Sequence, residues 1–131
     1  MSLILVDDDP QIRRLLGSLL THYGAPEVVE AATAEEALQH MLVRAPTGLT
    51  IDVELPGMGG VELARRIRAA PSFREVPILV VSASGDAQVV SDFATLGIHD
   101  YLRKPILPQN AGLRIQSFLA RCRVYARSTG L

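Results

Sequence analysis

The sequence predicts a doubly wound α/β fold, with a five-stranded parallel sheet carrying helices on both faces. Short β-type apolar runs alternate with helix-period segments five times along the chain. The runs are near-continuous in Val, Ile and Leu, as expected of strands buried on both sides. A helical segment lies between each pair of runs, and parallel strands need such crossovers.

Leu3–Val6 is the first strand and runs straight into Asp7. Ile12, Leu15, Leu16, Leu19, Leu20 and Tyr23 then recur at helical spacing, with Pro10 in the first turn and Gly24 closing the helix. Val28-Val29 reads as a short second strand. Thr33 follows as an N-cap, and a helix places Ala34, Ala37, Leu38, Met41 and Leu42 on one face. Leu49–Ile51 is the third strand, ending at Asp52. The loop Pro56-Gly57-Met58-Gly59-Gly60 leads into a helix bearing Leu63, Ala64 and Ile67. Pro77 opens the fourth strand, Ile78–Val81, which ends at Ser82. Val89, Val90, Phe93 and Ala94 mark the fourth helix, stopped by Gly97. A short strand around Tyr101-Leu102 precedes Lys104-Pro105. Ala111, Ile115, Phe118, Leu119 and Cys122 mark the last helix, with Arg121, Arg123 and Arg127 suited to its C-terminal dipole. Only Ser128–Leu131 reads as loose.

The 131 residues are read as one domain, with a core from about residue 3 to residue 127. Hydrophobic residues at 48% supply a core, and charged residues at 21% are ordinary for a soluble chain. A net charge of −1 gives no reason to expect DNA or an anionic membrane as a direct partner. The apolar runs are too short to span a bilayer, and no signal pattern opens the chain. Cys122 is the only cysteine, so the reducing cytoplasm is the expected compartment.

In doubly wound folds the functional crevice lies outside the carboxyl ends of the strands. Asp7, Asp8 and Asp9 stand at the first such end, Asp52 at the third, Ser82 at the fourth and Lys104 at the fifth. Each has a plainer reading alone: a solvated acidic loop, a turn aspartate, a strand-end hydroxyl, a surface lysine. Lys104 is nevertheless the single lysine against twelve arginines, so a general demand for positive charge was met elsewhere. Together the set is equipment for phosphoryl transfer. Clustered carboxylates repel until a hard divalent cation relieves them, an ammonium holds a phosphate oxygen, and a hydroxyl donates to the same group.

Ile4-Leu5-Val6-Asp7-Asp8-Asp9-Pro10, Ile51-Asp52-x-x-Leu55-Pro56-Gly57-Met58-x-Gly60, Pro77–Ala83 and Gly97-x-x-x-Tyr101-Leu102-x-Lys104-Pro105 together resemble the CheY-like receiver domains of bacterial two-component signalling. The spacings fit: 44 residues from Asp8 to Asp52, 30 on to Ser82 and 22 more to Lys104. The resemblance implies the flavodoxin-like (βα)5 fold. It also implies that Asp52 takes a phosphoryl group from a sensor histidine kinase or a histidine phosphotransfer protein. Mg²⁺ (or Mn²⁺) would be held by Asp8, by Asp7 through water, by Asp52 and by the Glu54 backbone carbonyl. Lys104 would contact the acyl phosphate, and Ser82 and Tyr101 would form the switch. The output partner, an effector domain or a second copy would dock on the fourth helix, fifth strand and fifth helix. Such a domain catalyses only its own phosphorylation and dephosphorylation.

Four positions depart from the usual pattern. Glu54 sets an acid beside the site, within reach of the metal or Lys104, while Gly59, Ile98 and Ile106 replace a common Asp, Ala and Phe. His22, His40 and His99 have no metal-binding spacing. Two other readings compete: a receiver that binds partners without phosphorylation, and a small haloacid-dehalogenase-like phosphatase using Asp7-x-Asp9. The full acceptor set opposes the first; Pro10-Gln11 and the short chain oppose the second.

Overall fold

The computed structural model describes residues 1–130. Its elements run β1 (Leu3–Val6), α1 (Pro10–His22), β2 (Val28–Ala31), α2 (Ala34–Val43), β3 (Gly48–Asp52), α3 (Gly60–Ala69), β4 (Ile78–Ser82), α4 (Ala87–Ala94), β5 (Asp100–Arg103) and α5 (Pro108–Thr129), with a 3₁₀ turn at Pro71–Phe73. All four strand pairings are parallel, in the order β2-β1-β3-β4-β5. This is the flavodoxin-like order, whose switch point falls between β1 and β3.

Strand alternation builds two apolar layers on one sheet. Ile4, Val6, Leu49, Ile51, Ile78 and Val80 pack against α2, α3 and α4 through Ala37, Met41, Leu63, Ile67 and Phe93. Leu3, Leu5, Leu79, Val81 and Leu102 pack against α1 and α5 through Leu16, Leu20, Ile115, Phe118, Leu119 and Cys122. Thr50 is a polar intruder: it pairs in register with Leu5 and Leu79, is 1% exposed, and its hydroxyl finds no hydrogen-bond partner among the described residues.

Several expectations need correction. Leu42 is 88% exposed and not on the buried face of α2, which Ala34, Ala37 and Met41 make; it lies one residue from the helix end. Of the four residues chosen for α4, only Phe93 is buried, because this short helix rests on the sheet by a single ridge. Ser128 and Thr129 belong to α5, which Gly130 closes in the left-handed conformation; both hydroxyls bond back to the Tyr125 carbonyl. Leu131 lies outside the described residues. The base of the molecule is tied by Arg68, which donates to the carbonyls of Leu96 (3.1 Å) and Phe73 (3.0 Å). Among the described residues no helix is long and apolar enough to cross a membrane.

Candidate functional site at the carboxyl ends of the strands

The three consecutive aspartates after β1 do three different jobs. Asp7 is 1% exposed, and its Oδ1 accepts the Asp9 N–H at 2.9 Å. Asp9 is the N-cap of α1, accepting the Gln11 N–H at 2.9 Å, which turns it away from the crevice. Asp8 remains exposed. With Asp9 so used, Asp7-x-Asp9 does not present two acids to one centre, as the phosphatase reading requires. Arg13, one turn into α1, donates to the Asp7 carbonyl at 2.6 Å and to Glu30 Oε1 at 2.9 Å, which pins the end of β1.

Asp52 ends β3 and is 2% exposed. Lys104 reaches in from the end of β5, its Nζ 3.1 Å from Asp7 Oδ2 and 3.3 Å from Asp52 Oδ2. Burial raises the pKa of both aspartates, and for Asp52 the neighbouring Glu54 carboxyl adds to the rise. The amide hydrogen bonds and the lysine charge oppose that shift without cancelling it. For Lys104, burial alone would lower the pKa. Contact with Asp7 and the charges of Asp52 and Asp7 outweigh it, so the net shift is upward and the ammonium stays charged.

One carboxylate oxygen each from Asp7, Asp8 and Asp52 lies within 4.8 Å of the others. Asp7 Oδ2, though close enough to Lys104 to pair by charge, is not aligned for a hydrogen bond and has no donor among the described residues. A buried oxygen without a donor, in an all-oxygen set, fits a hard divalent cation such as Mg²⁺. Asp7, Asp8 and Asp52 are the residues that would hold it.

Ser82, 4% exposed, is bound to its own loop. Its Oγ accepts the Ser84 N–H at 3.0 Å. It lies 2.9 Å from the Ser84 carbonyl and 3.2 Å from Glu54 Oε1, either of which can take its single proton. Glu54 therefore contacts Ser82, and the ion pairs of Lys104 do not include it. The Glu54 N–H donates to Asp52 Oδ1 at 3.2 Å. Tyr101 is half-buried, edge-on to Phe93, and its hydroxyl is 3.1 Å from the Val90 carbonyl and 3.3 Å from that of Ile98. Behind Asp52 the backbone is crowded: a Cβ on Gly60 would collide with the Asp52 carbonyl oxygen and come within 2.8 Å of Val53 Cα. Sequence reasoning missed Arg13 and the direction of Glu54. A basic residue in the first turns of α1 was visible, but its reach back to a main-chain carbonyl was not.

A parallel sheet with acids, a hydroxyl and a lysine converging at its carboxyl rim defines a phosphorylation-type signalling domain. Comparison with known proteins agrees. Residues 3–116 match the family described as response regulator receiver domain, and the chain belongs to that family. It is 33% identical over 110 residues to chemotaxis protein CheY1 of Helicobacter pylori, covering 83% of this chain and 89% of that one. It is 30% identical over 120 residues to the phosphate regulon transcriptional regulatory protein PhoB of Pseudomonas aeruginosa; the match takes in 92% of this chain and about half (52%) of PhoB. Among solved structures, Vibrio cholerae chemotaxis protein CheY4 superposes with a TM-score of 0.81 at 26% identity, over 89% of this chain and 97% of that one. The chain is thus a receiver domain of two-component response regulators, a signalling domain. Receivers of this family bind Mg²⁺ at an acidic pocket and interact with histidine kinases and output domains.

Proposed function

We propose that Asp52 is the phosphoacceptor and that this chain catalyses its own phosphorylation from a phosphohistidine on a sensor kinase or phosphotransfer protein. The observation that carries this reading is the pairing of a 2%-exposed Asp52 with Lys104 at 3.3 Å, inside a cluster able to hold a cation. In the transfer, a carboxylate oxygen of Asp52 forms the new O–P bond as the donor's N–P bond breaks. The donor nitrogen keeps the electron pair and takes up a proton. Mg²⁺ (or Mn²⁺), held by Asp7, Asp8, Asp52 and the Glu54 carbonyl, would neutralise the phosphoryl oxygens. Lys104, compact and charged, takes one phosphoryl oxygen without a planar fork's geometric demands. Positioning and charge neutralisation are the whole of the catalysis required.

Ser82 and Tyr101 form the switch. To donate to a phosphoryl oxygen, Ser82 gives up Ser84 and Glu54, and the 83–86 loop follows it. Tyr101, held to α4 through the Val90 carbonyl, couples that loop to the face made by α4, β5 and α5, where the output partner or a second copy docks. A phosphoryl group shifts this equilibrium only by its better fit to the rearranged state. Incubation with acetyl phosphate and Mg²⁺ tests the assignment: one phosphoryl mass should be added, chelator should abolish it, and Asp52→Asn should abolish it. Undiminished labelling of Asp52→Asn would overturn it.

A further inference from the structure

Away from Asp52, a groove of about 600 Å³ runs between α1 and the outer strand β2, more than twice the 280 Å³ of the cavity beside Lys104. Arg14, Ser18, Thr21 and His22 line it from the exposed side of α1, with Val28 and Glu30 from β2.

Its charge is one-sided. The helix PQIRRLLGSLLTH contains no acid. The two acids on the strand side are already engaged, Glu30 by Arg13 at 2.9 Å and Glu27 by Arg44 at 2.6 Å. Arg14 and His22 have no ionic partner among the described residues.

Gly17 sits within the lining, in the middle of α1. A Cβ there would meet only Leu5 Cδ1, at an ordinary 3.9 Å. Packing does not demand this glycine, and a mid-helix glycine weakens a helix relative to alanine.

The third wall is main chain. Among the described residues β2 pairs only with β1. Leu3 N–H donates to the Glu27 carbonyl and Asp7 N–H to that of Ala31, so the odd-numbered residues face β1. Strand alternation then turns the N–H and C=O groups of Val28 and Glu30 outward, to the free edge.

We propose that this groove docks an extended acidic segment of a partner protein, which adds a strand to the free edge of β2 and sets its carboxylates against Arg14 and His22. A nucleic acid or an anionic membrane would satisfy the arginine and leave the strand edge unpaired; only a polypeptide supplies both anions and main-chain amides.

The probe is a fluorescein-labelled peptide alternating valine and aspartate, offered to the unphosphorylated chain at low salt and followed by anisotropy and by amide chemical shifts. Binding should perturb residues 13–30, and Arg14→Glu should weaken it at least tenfold, with circular dichroism confirming that the variant is folded. N-methylation of alternate peptide amides, which leaves the protein untouched, should weaken binding by a similar factor in one of the two registers. A lysine-for-aspartate peptide that binds equally well, shifts centred elsewhere, N-methylated peptides that bind normally in both registers, or no binding of the probe would each overturn the proposal.

Discussion

Lys104→Met separates charge from shape, because methionine keeps most of the aliphatic stem and lacks the ammonium. That ammonium stands 3.1 Å from Asp7 Oδ2 and 3.3 Å from Asp52 Oδ2. At an effective dielectric of about 20, each contact is worth roughly 5 kcal/mol of attraction before the cost of drying the groups. Breaking a buried pair from one side costs about 3–5 kcal/mol net. Proton uptake by one of the two aspartates, whose pKa values already stand above the ordinary 3.8, limits the loss here. We expect about 3 kcal/mol at pH 8 without divalent metal, a fall in Tm on the order of 10 °C for a chain of this size. The sign of the pH dependence follows from the carboxylates. Lys104, raised above its ordinary 10.5, contributes fully below that value and loses its contribution only as pH climbs through the folded pKa, so it does not titrate between pH 5 and pH 8. In the variant, Asp7 and Asp52 face each other uncompensated, their pKa values rise further, and the folded state gains stability as pH falls through them. Urea denaturation at pH 8 and pH 5 should therefore show the deficit shrinking toward acid, and saturating Mg²⁺ should shrink it at pH 8. A deficit of equal size at both pH values would refute the reasoning and assign the loss to packing of the stem.

Other outcomes follow from the same geometry. Asp8→Ala should weaken Mg²⁺ binding, measured by titration calorimetry, far more than Asp9→Ala. Asp9→Ala should instead cost about 1 kcal/mol of stability through the lost α1 cap. Thr50→Val, close to isosteric, removes a buried hydroxyl with no partner and should stabilise the fold by about 1–2 kcal/mol in urea denaturation. Hydrogen exchange with and without beryllofluoride should change in residues 83–104; changes confined to residues 30–45 would contradict the route through Ser82 and Tyr101.

The strands and the site were legible because both depend on local pattern. Apolar runs such as Ile78–Val81 end in a candidate residue, here Ser82, so locating a strand also located a candidate position at the carboxyl rim. Asp9 was set apart from Asp7 and Asp8 by the resemblance alone, since related domains often carry Glu there; the structure adds the physical reason, the cap that Asp9 makes on α1. Less legible were features set by tertiary reach. The clamp of Arg13 on the Asp7 carbonyl and the turn of Glu54 toward Ser82 depend on rotamers that no periodicity encodes. Leu42 looked like core because its spacing continues that of Leu38 and Met41, yet the buried face of α2 is the narrower stripe of Ala34, Ala37 and Met41. The 3₁₀ turn at Pro71–Phe73 is too short to leave a repeat in the sequence.

The contact between Gly60 and the Asp52 backbone has a genetic consequence. In a screen for variants that silence the pathway, most lesions at a signalling centre are sought among groups that touch the phosphate. Residue 60 bears no such group, yet any side chain there collides with the Asp52 carbonyl oxygen and with Val53 Cα. Substitutions at this position should thus surface alongside changes at residue 52 itself. Unlike those changes, they should be rescued by second-site changes in the 56–59 loop that let the start of α3 back away, and such suppressors would map the strand-to-helix junction without any chemical probe.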